Sequence, residues 1–92
     1  MATPAVFVFI QAGCGACHDY MPKLERVRSR HPHVTVGIYD LAVNDRHVQR
    51  FAEALNVRAT PTTVVQTSSG AHRHHVGSLP VAQIEAAFTS AR

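Results

Sequence analysis

The sequence predicts an α/β domain in which helices and a mixed β-sheet follow one another as β-α-β-α-β-β-α. Three observations carry this expectation. The apolar run Val6-Phe7-Val8-Phe9-Ile10 has the composition of a strand buried on both faces. Helical spacing begins directly after it, at Cys14-Gly15-Ala16-Cys17-His18. Further on, two short strand-like runs flank Ser68-Ser69-Gly70, as in a hairpin.

Residues 5–11 form the first strand, and Gly13 permits a turn out of it. Over 15–30, Cys17, Met21, Leu24 and Val27, with Tyr20 beside them, fall at helical steps, and the charged residues fall elsewhere. Pro22 removes one helical hydrogen bond. The apolar stripe continues past it, so one bent helix is expected. His31-Pro32 stops that helix, because the residue before proline avoids the α region. Val34, Val36 and Ile38 alternate with Thr35, Gly37 and Tyr39 in a second strand that ends at Asp40. The crossover helix makes these two strands parallel neighbours with right-handed connection. Asn44 or Asp45 caps the second helix, Val48, Phe51, Ala52 and Leu55 form its apolar face, and Asn56 terminates it. Residues 62–67 and 71–76 are the hairpin strands. Pro80 opens the last helix, marked by Val81, Ile84, Ala87 and Phe88.

At 92 residues, with 46% hydrophobic content and no repeat or linker, the chain reads as one small domain over 1–92. The net charge of +3 is mild. Arg26, Arg28 and Arg30, the nearest approach to a basic cluster, follow at steps of two, and residues two apart do not share a helix face, so nucleic-acid binding is not expected. No apolar run approaches the roughly 20 residues of a membrane span. No secretory leader pattern is visible, so a cytoplasmic, monomeric, soluble protein is expected.

The chemistry lies in Cys14 and Cys17. Two cysteines so close in sequence close too short a loop to add much stability through entropy. Thiolate attacks a disulfide, and a helix start favours an anion through its unpaired N–H groups and dipole. Cys14 falls at that start. Cys17 lies one turn further, on the apolar side, able to attack a mixed disulfide. Gly15 and Ala16 leave Cys14 accessible. The alternative is a pair of ordinary core cysteines.

Several features together resemble the thioredoxin superfamily. Gly13-Cys14-Gly15-Ala16-Cys17 resembles its Trp-Cys-Gly-Pro-Cys site. Pro22 matches its helix-kinking proline. Val57-Arg58-Ala59-Thr60-Pro61-Thr62 resembles the segment that holds its cis-proline, and Val76-Gly77-Ser78-Leu79 resembles its Val-Gly-Ala loop. The resemblance runs from Val6 to Phe88. It implies a minimal thioredoxin fold, a four-stranded mixed sheet of order 2-1-3-4 with three helices. It also implies a thiol–disulfide oxidoreductase acting on disulfide-containing proteins, with Cys14 as nucleophile, Cys17 as resolving cysteine and no cofactor beyond their own disulfide. Pro61 would be cis and face the pair, the Thr60 backbone would pair with an extended substrate, and Gly77 would let it approach. The reductant would be of the thioredoxin-reductase or glutathione type.

The departures are as specific. The opening strand and helix usual in thioredoxins are missing. Gly13 stands where a tryptophan is usual, Ala16 where a proline is, Val8 where a buried aspartate is, and Val36 where a lysine is. The usual proton acceptor for Cys17 is thus absent, and His18 and Asp40 are the candidates to replace it, although each also reads as an ordinary surface or loop-capping residue. Ala16 suggests a potential less reducing than that of ordinary thioredoxin.

Three rivals remain. A glutaredoxin-type, glutathione-dependent activity lacks its usual Cys-Pro-Tyr-Cys. Cys14-Gly-Ala-Cys17-His18 fits the c-type haem pattern, but strands replace the helices of a small cytochrome and no distal methionine is placed. A metal site could use Cys14, Cys17 and His18 with His72, His74 and His75, though a soluble edge strand explains the last three equally well.

Overall fold

The computed structural model describes residues 2–92. Seven elements follow in the expected order: β1 (Ala5–Ile10), α1 (Gly15–Arg28), β2 (Thr35–Asp40), α2 (Arg46–Ala54), β3 (Thr62–Gln66), β4 (His72–Val76) and α3 (Val81–Ala91). The sheet order is β2-β1-β3-β4, with β1 parallel to β2, antiparallel to β3, and β3 antiparallel to β4.

The unbroken apolar run of β1 is explained by its central place. Val6 and Val8 face α1 and α3, in a core with Tyr20, Leu24, Val27, Val65, Ile84 and Phe88. Phe9 faces the other way, onto α2, with Ala52, Val64 and the rings of Tyr39 and Phe51. Both faces of one strand therefore need apolar side chains. Burying Phe9 fully contributes about 1.5–3 kcal/mol before the entropy cost of ordering it. The outer strands differ. β2 is half-buried along most of its length, and β4 presents mostly exposed residues.

Local signals set the joints. Asp45 caps α2 by accepting from the backbone N–H groups of His47 and Val48. Asn56 has φ of 58°, the left-handed conformation that ends helices. α1 continues through Pro22 without interruption. It ends at Arg28, two residues short of the expected Arg30, because the Arg30 and His31 N–H groups bond three residues back, to the Val27 and Arg28 carbonyls at 3.0 Å, before the proline acts. Each strand is also a residue shorter than the apolar pattern suggests. Pro80 stands just before α3, as its N-cap. Tyr20, beside the apolar stripe of α1, is fully buried in the same core as Leu24 and Val27. Its hydroxyl is hydrogen-bonded to Thr63 Oγ1 at 2.7 Å. Burial pushes its pKa up, partly opposed by that bond. The buried His31 closes the far end of α1 onto α3: its Nε2–H donates to Glu85 Oε2 at 2.7 Å, and its Nδ1 accepts from Arg92 Nη2 at 2.6 Å. Glu85 also pairs with Arg30 at 2.9 Å.

Candidate active site

The site forms where β1 ends and α1 begins. The backbone turns at Gly13, whose φ of 82° suits glycine. Cys14 N–H donates to the Gln11 carbonyl at 3.1 Å, and Cys14 becomes the N-cap of α1. Its sulfur occupies the place of a capping oxygen, accepting the Cys17 backbone N–H at 3.1 Å. That bond satisfies one of the donors a helix start leaves open and directs positive potential at the sulfur. Cys14 is partly exposed, whereas Cys17 is 4% exposed. The two are joined in a disulfide, with Cα atoms 5.2 Å apart.

A second segment meets them from β3. The Thr60–Pro61 peptide bond is cis, and Pro61 is buried. The Thr60 carbonyl oxygen lies 3.7 Å from Cys14 Sγ. In the disulfide that sulfur carries no hydrogen, so this is a contact; only the reduced thiol could donate. The Thr62 hydroxyl donates to the Ala59 carbonyl at 2.7 Å and closes the turn. A third segment comes from β4: Gly77 N–H donates to the Pro61 carbonyl at 2.8 Å. Gly77 has φ of 100°, and a Cβ there would meet no atom within 4 Å, so the surface beside it is open.

The residues singled out in the sequence thus fall into two groups. Cys14, Cys17, Thr60, Pro61 and Gly77 converge from three separate segments. Gly13, His18 and Asp40 border a hollow of about 250 Å3 that also contains both cysteines, Ile10, Gln11, Ala12 and Met21. Asp40 has a structural task there too, since its Oδ1 accepts the Ala42 N–H at 2.8 Å. Gly15 and Ala16 are exposed at the helix tip. Val8 is fully buried, and the buried polar residues among those described are His31, Thr62 and Thr63, with no carboxylate.

Sequence reasoning missed Asp19. Its Oδ2 accepts from the Ser78 hydroxyl at 2.7 Å and lies 3.3 Å from Lys23 Nζ. The Ser78 bond, then Lys23, hold the Asp19 carboxyl below its ordinary pKa. This ties the first turns of α1 to the Gly77-Ser78 loop. The Asp19–Lys23 spacing was visible as a helical i,i+4 pair; Ser78 lies 59 residues away and gave no signal.

The metal reading is not supported by the placement of its ligands. His72 and His74 lie on the α2 side of β4, away from the cysteines. His74 Nε2 donates to the Leu55 carbonyl at 2.5 Å, and His72 Nε2 is 3.1 Å from Gln66 Oε1. Among the described residues, no three His, Cys, Asp or Glu side chains gather as metal ligands would.

No family model and no curated protein sequence matches the chain. Solved structures are similar over almost its whole length. Oxidized thioredoxin O2 from Arabidopsis thaliana superposes with a TM-score of 0.73 at 26% identity, covering 95% of this chain and 73% of its own. Fasciola hepatica thioredoxin gives 0.79 at 23% identity, covering 97% and 81%. The dsbF protein of MTB, solved in mixed oxidized and reduced forms, gives 0.81 at 17% identity, covering 100% and 83%. The chain has the thioredoxin fold. Within the thioredoxin fold, its cysteine pair sits at the junction of β1 and α1, and its cis-proline opens β3.

Proposed function

We propose that this protein is a thiol–disulfide oxidoreductase that reduces protein disulfides through Cys14 and Cys17. One observation carries the reading: a partly exposed Cys14 sulfur accepts a helix-start N–H while its partner Cys17 is buried behind it. Such a setting favours thiolate at Cys14 and keeps Cys17 for the second step.

In the reduced protein, Cys14 thiolate attacks one sulfur of a substrate disulfide. A Cys14–substrate disulfide forms, the substrate S–S bond breaks, and the leaving thiolate takes a proton from water. Cys17 then gives up its proton and attacks Cys14 Sγ. The Cys14–Cys17 disulfide forms and the second substrate thiol departs. Two electrons pass from protein to substrate. A thioredoxin-reductase-type or glutathione reductant restores the dithiol, and a reducing compartment such as the cytoplasm suits that direction. The protein would act as a monomer and need no other cofactor.

The Thr60 backbone, beside Cys14, would pair with an extended substrate segment by strand addition, and the open side of Gly77 would admit that segment. No buried carboxylate backs Cys17. His18 and Asp40, the titratable residues bordering the hollow, are the groups we assign to receive its proton. The test is reduction of a protein disulfide by the recombinant protein, supplied either with NADPH and thioredoxin reductase or with glutathione and glutathione reductase. Faster turnover with the first supports a thioredoxin-type role, faster turnover with the second a glutaredoxin-type one. Failure with both, and with dithiothreitol, overturns the reading.

A further inference from the structure

β4 is an edge strand whose two faces carry different side chains. Cross-strand partners share a face. Arg73 is paired with Val65 and His75 with Thr63. Val65 and Thr63 point to the α1–α3 side, where Val65 joins the core and Thr63 holds the Tyr20 hydroxyl. Arg73 and His75 therefore stand on that side too. α3 packs mainly on α1, β3 and β1, and leaves the β4 end of this face uncovered. The result is a hollow of about 340 Å3 between β4 and α3, lined by Arg73, His75, Gln83, Ala86, Ala87 and Ser90.

Its chemistry is one-sided. Gln83, Ala87 and Ser90 fall at helical steps on one face of α3. Arg73, His75 and Gln83 make no side-chain hydrogen bond or ion pair among the described residues. The Ser90 hydroxyl hydrogen is committed to the Ala87 carbonyl at 2.9 Å, so Ser90 serves as wall. No acidic residue lines the hollow. Glu85, the one carboxylate on α3, is engaged by Arg30 and His31. A guanidinium fork, an imidazole and a carboxamide thus converge with unused N–H donors on a space floored by two alanines.

We propose that this hollow binds a small phosphate monoester. Arg73 would take two of the three terminal phosphate oxygens through its planar fork, and His75 and Gln83 would both donate to the third. Ala86 and Ala87 would carry the apolar body of the ester. Arg73 alone would engage both oxygens of a carboxylate, whereas the third terminal oxygen of a phosphate also uses His75 and Gln83. The site is independent of the dithiol chemistry.

The experiment is an amide chemical-shift titration of the oxidised protein with phenyl phosphate, inorganic phosphate and benzoate, at constant ionic strength set with sodium chloride. Saturable shifts at Arg73, His75 and Gln83 are expected, with phenyl phosphate binding tightest, at a Kd on the order of 1 mM. Arg73→Gln should weaken phenyl phosphate at least about tenfold, as loss of hydrogen bonds to a charged group does. Arg50→Gln, on α2, should leave it unchanged. Shifts that do not saturate, or that Arg50→Gln reduces as much as Arg73→Gln, would overturn the proposal. So would benzoate or inorganic phosphate binding as tightly as phenyl phosphate.

Discussion

The Cys14 sulfur has a structural task that can be separated from its redox one. It stands at the N-cap of α1 and accepts the Cys17 N–H at 3.1 Å. Cys14→Ser and Cys14→Ala both abolish the disulfide, so their comparison isolates the cap. Serine supplies an oxygen acceptor at a position with φ −85° and ψ 108°, the extended backbone that capping residues adopt. Alanine supplies none and leaves the Cys17 N–H without its partner. Such replacements cost about 0.5–2 kcal/mol. For a domain of this size each 1 kcal/mol moves Tm by about 4–8 °C. The alanine variant should therefore melt about 2–16 °C below the serine variant, with a central value near 6 °C. Thermal unfolding followed by far-ultraviolet circular dichroism, under reducing conditions, reads the difference. Equal melting temperatures, or a more stable alanine variant, would refute the capping role.

Three further outcomes follow from the geometry. Tyr20→Phe should cost about 1–3 kcal/mol by leaving buried Thr63 Oγ1 unpaired, and Tyr20→Phe combined with Thr63→Val should cost less than the sum of the single changes; additive losses in urea unfolding would contradict the pairing. Glu85 has its carboxyl held below the ordinary range by His31 first and then Arg30. A depressed acid stabilises the fold above its unfolded pKa and loses that contribution as pH falls through the folded one. Glu85→Gln should thus lower Tm at neutral pH, and the gap to the parent protein should close below about pH 4.5; a constant gap would exclude the linkage. Gly77→Ala meets open space but must hold φ at 100°, so a loss of about 1–2 kcal/mol is expected from backbone conformation alone, and an unchanged Tm would show that the loop relaxes freely.

The topology was legible because each element carries its own period. β1 reads as a doubly buried strand because Val6 and Val8 serve one core and Phe9 the other. The cysteine pair, the Thr60–Pro61 segment and Gly77 were legible as motifs, and the fold draws them together. What could not be read were pairings between single polar residues far apart in sequence. Ser78 with Asp19 and His31 with Glu85 are separated by 59 and 54 residues, and no local pattern marks either. Tyr20 with Thr63 is a third such pair, 43 residues apart. The end of α1 was misplaced by two residues: Pro32 marks where a helix cannot continue, whereas the chain had already tightened into three-residue turns at Arg30 and His31. His72 and His74 suggested ligands because they share a strand face, but that face lies on the α2 side, away from the cysteines, and the strand's alternation sends His75 to the other.

The central claim is that Cys14 attacks a substrate disulfide and Cys17 resolves the product. Its most direct test is incubation of reduced Cys17→Ser protein with a disulfide-containing protein, followed by intact-mass measurement. A covalent adduct joined through Cys14 and released by dithiothreitol is expected, with none from Cys14→Ser. No adduct from Cys17→Ser, or an equal one from Cys14→Ser, would contradict the assignment.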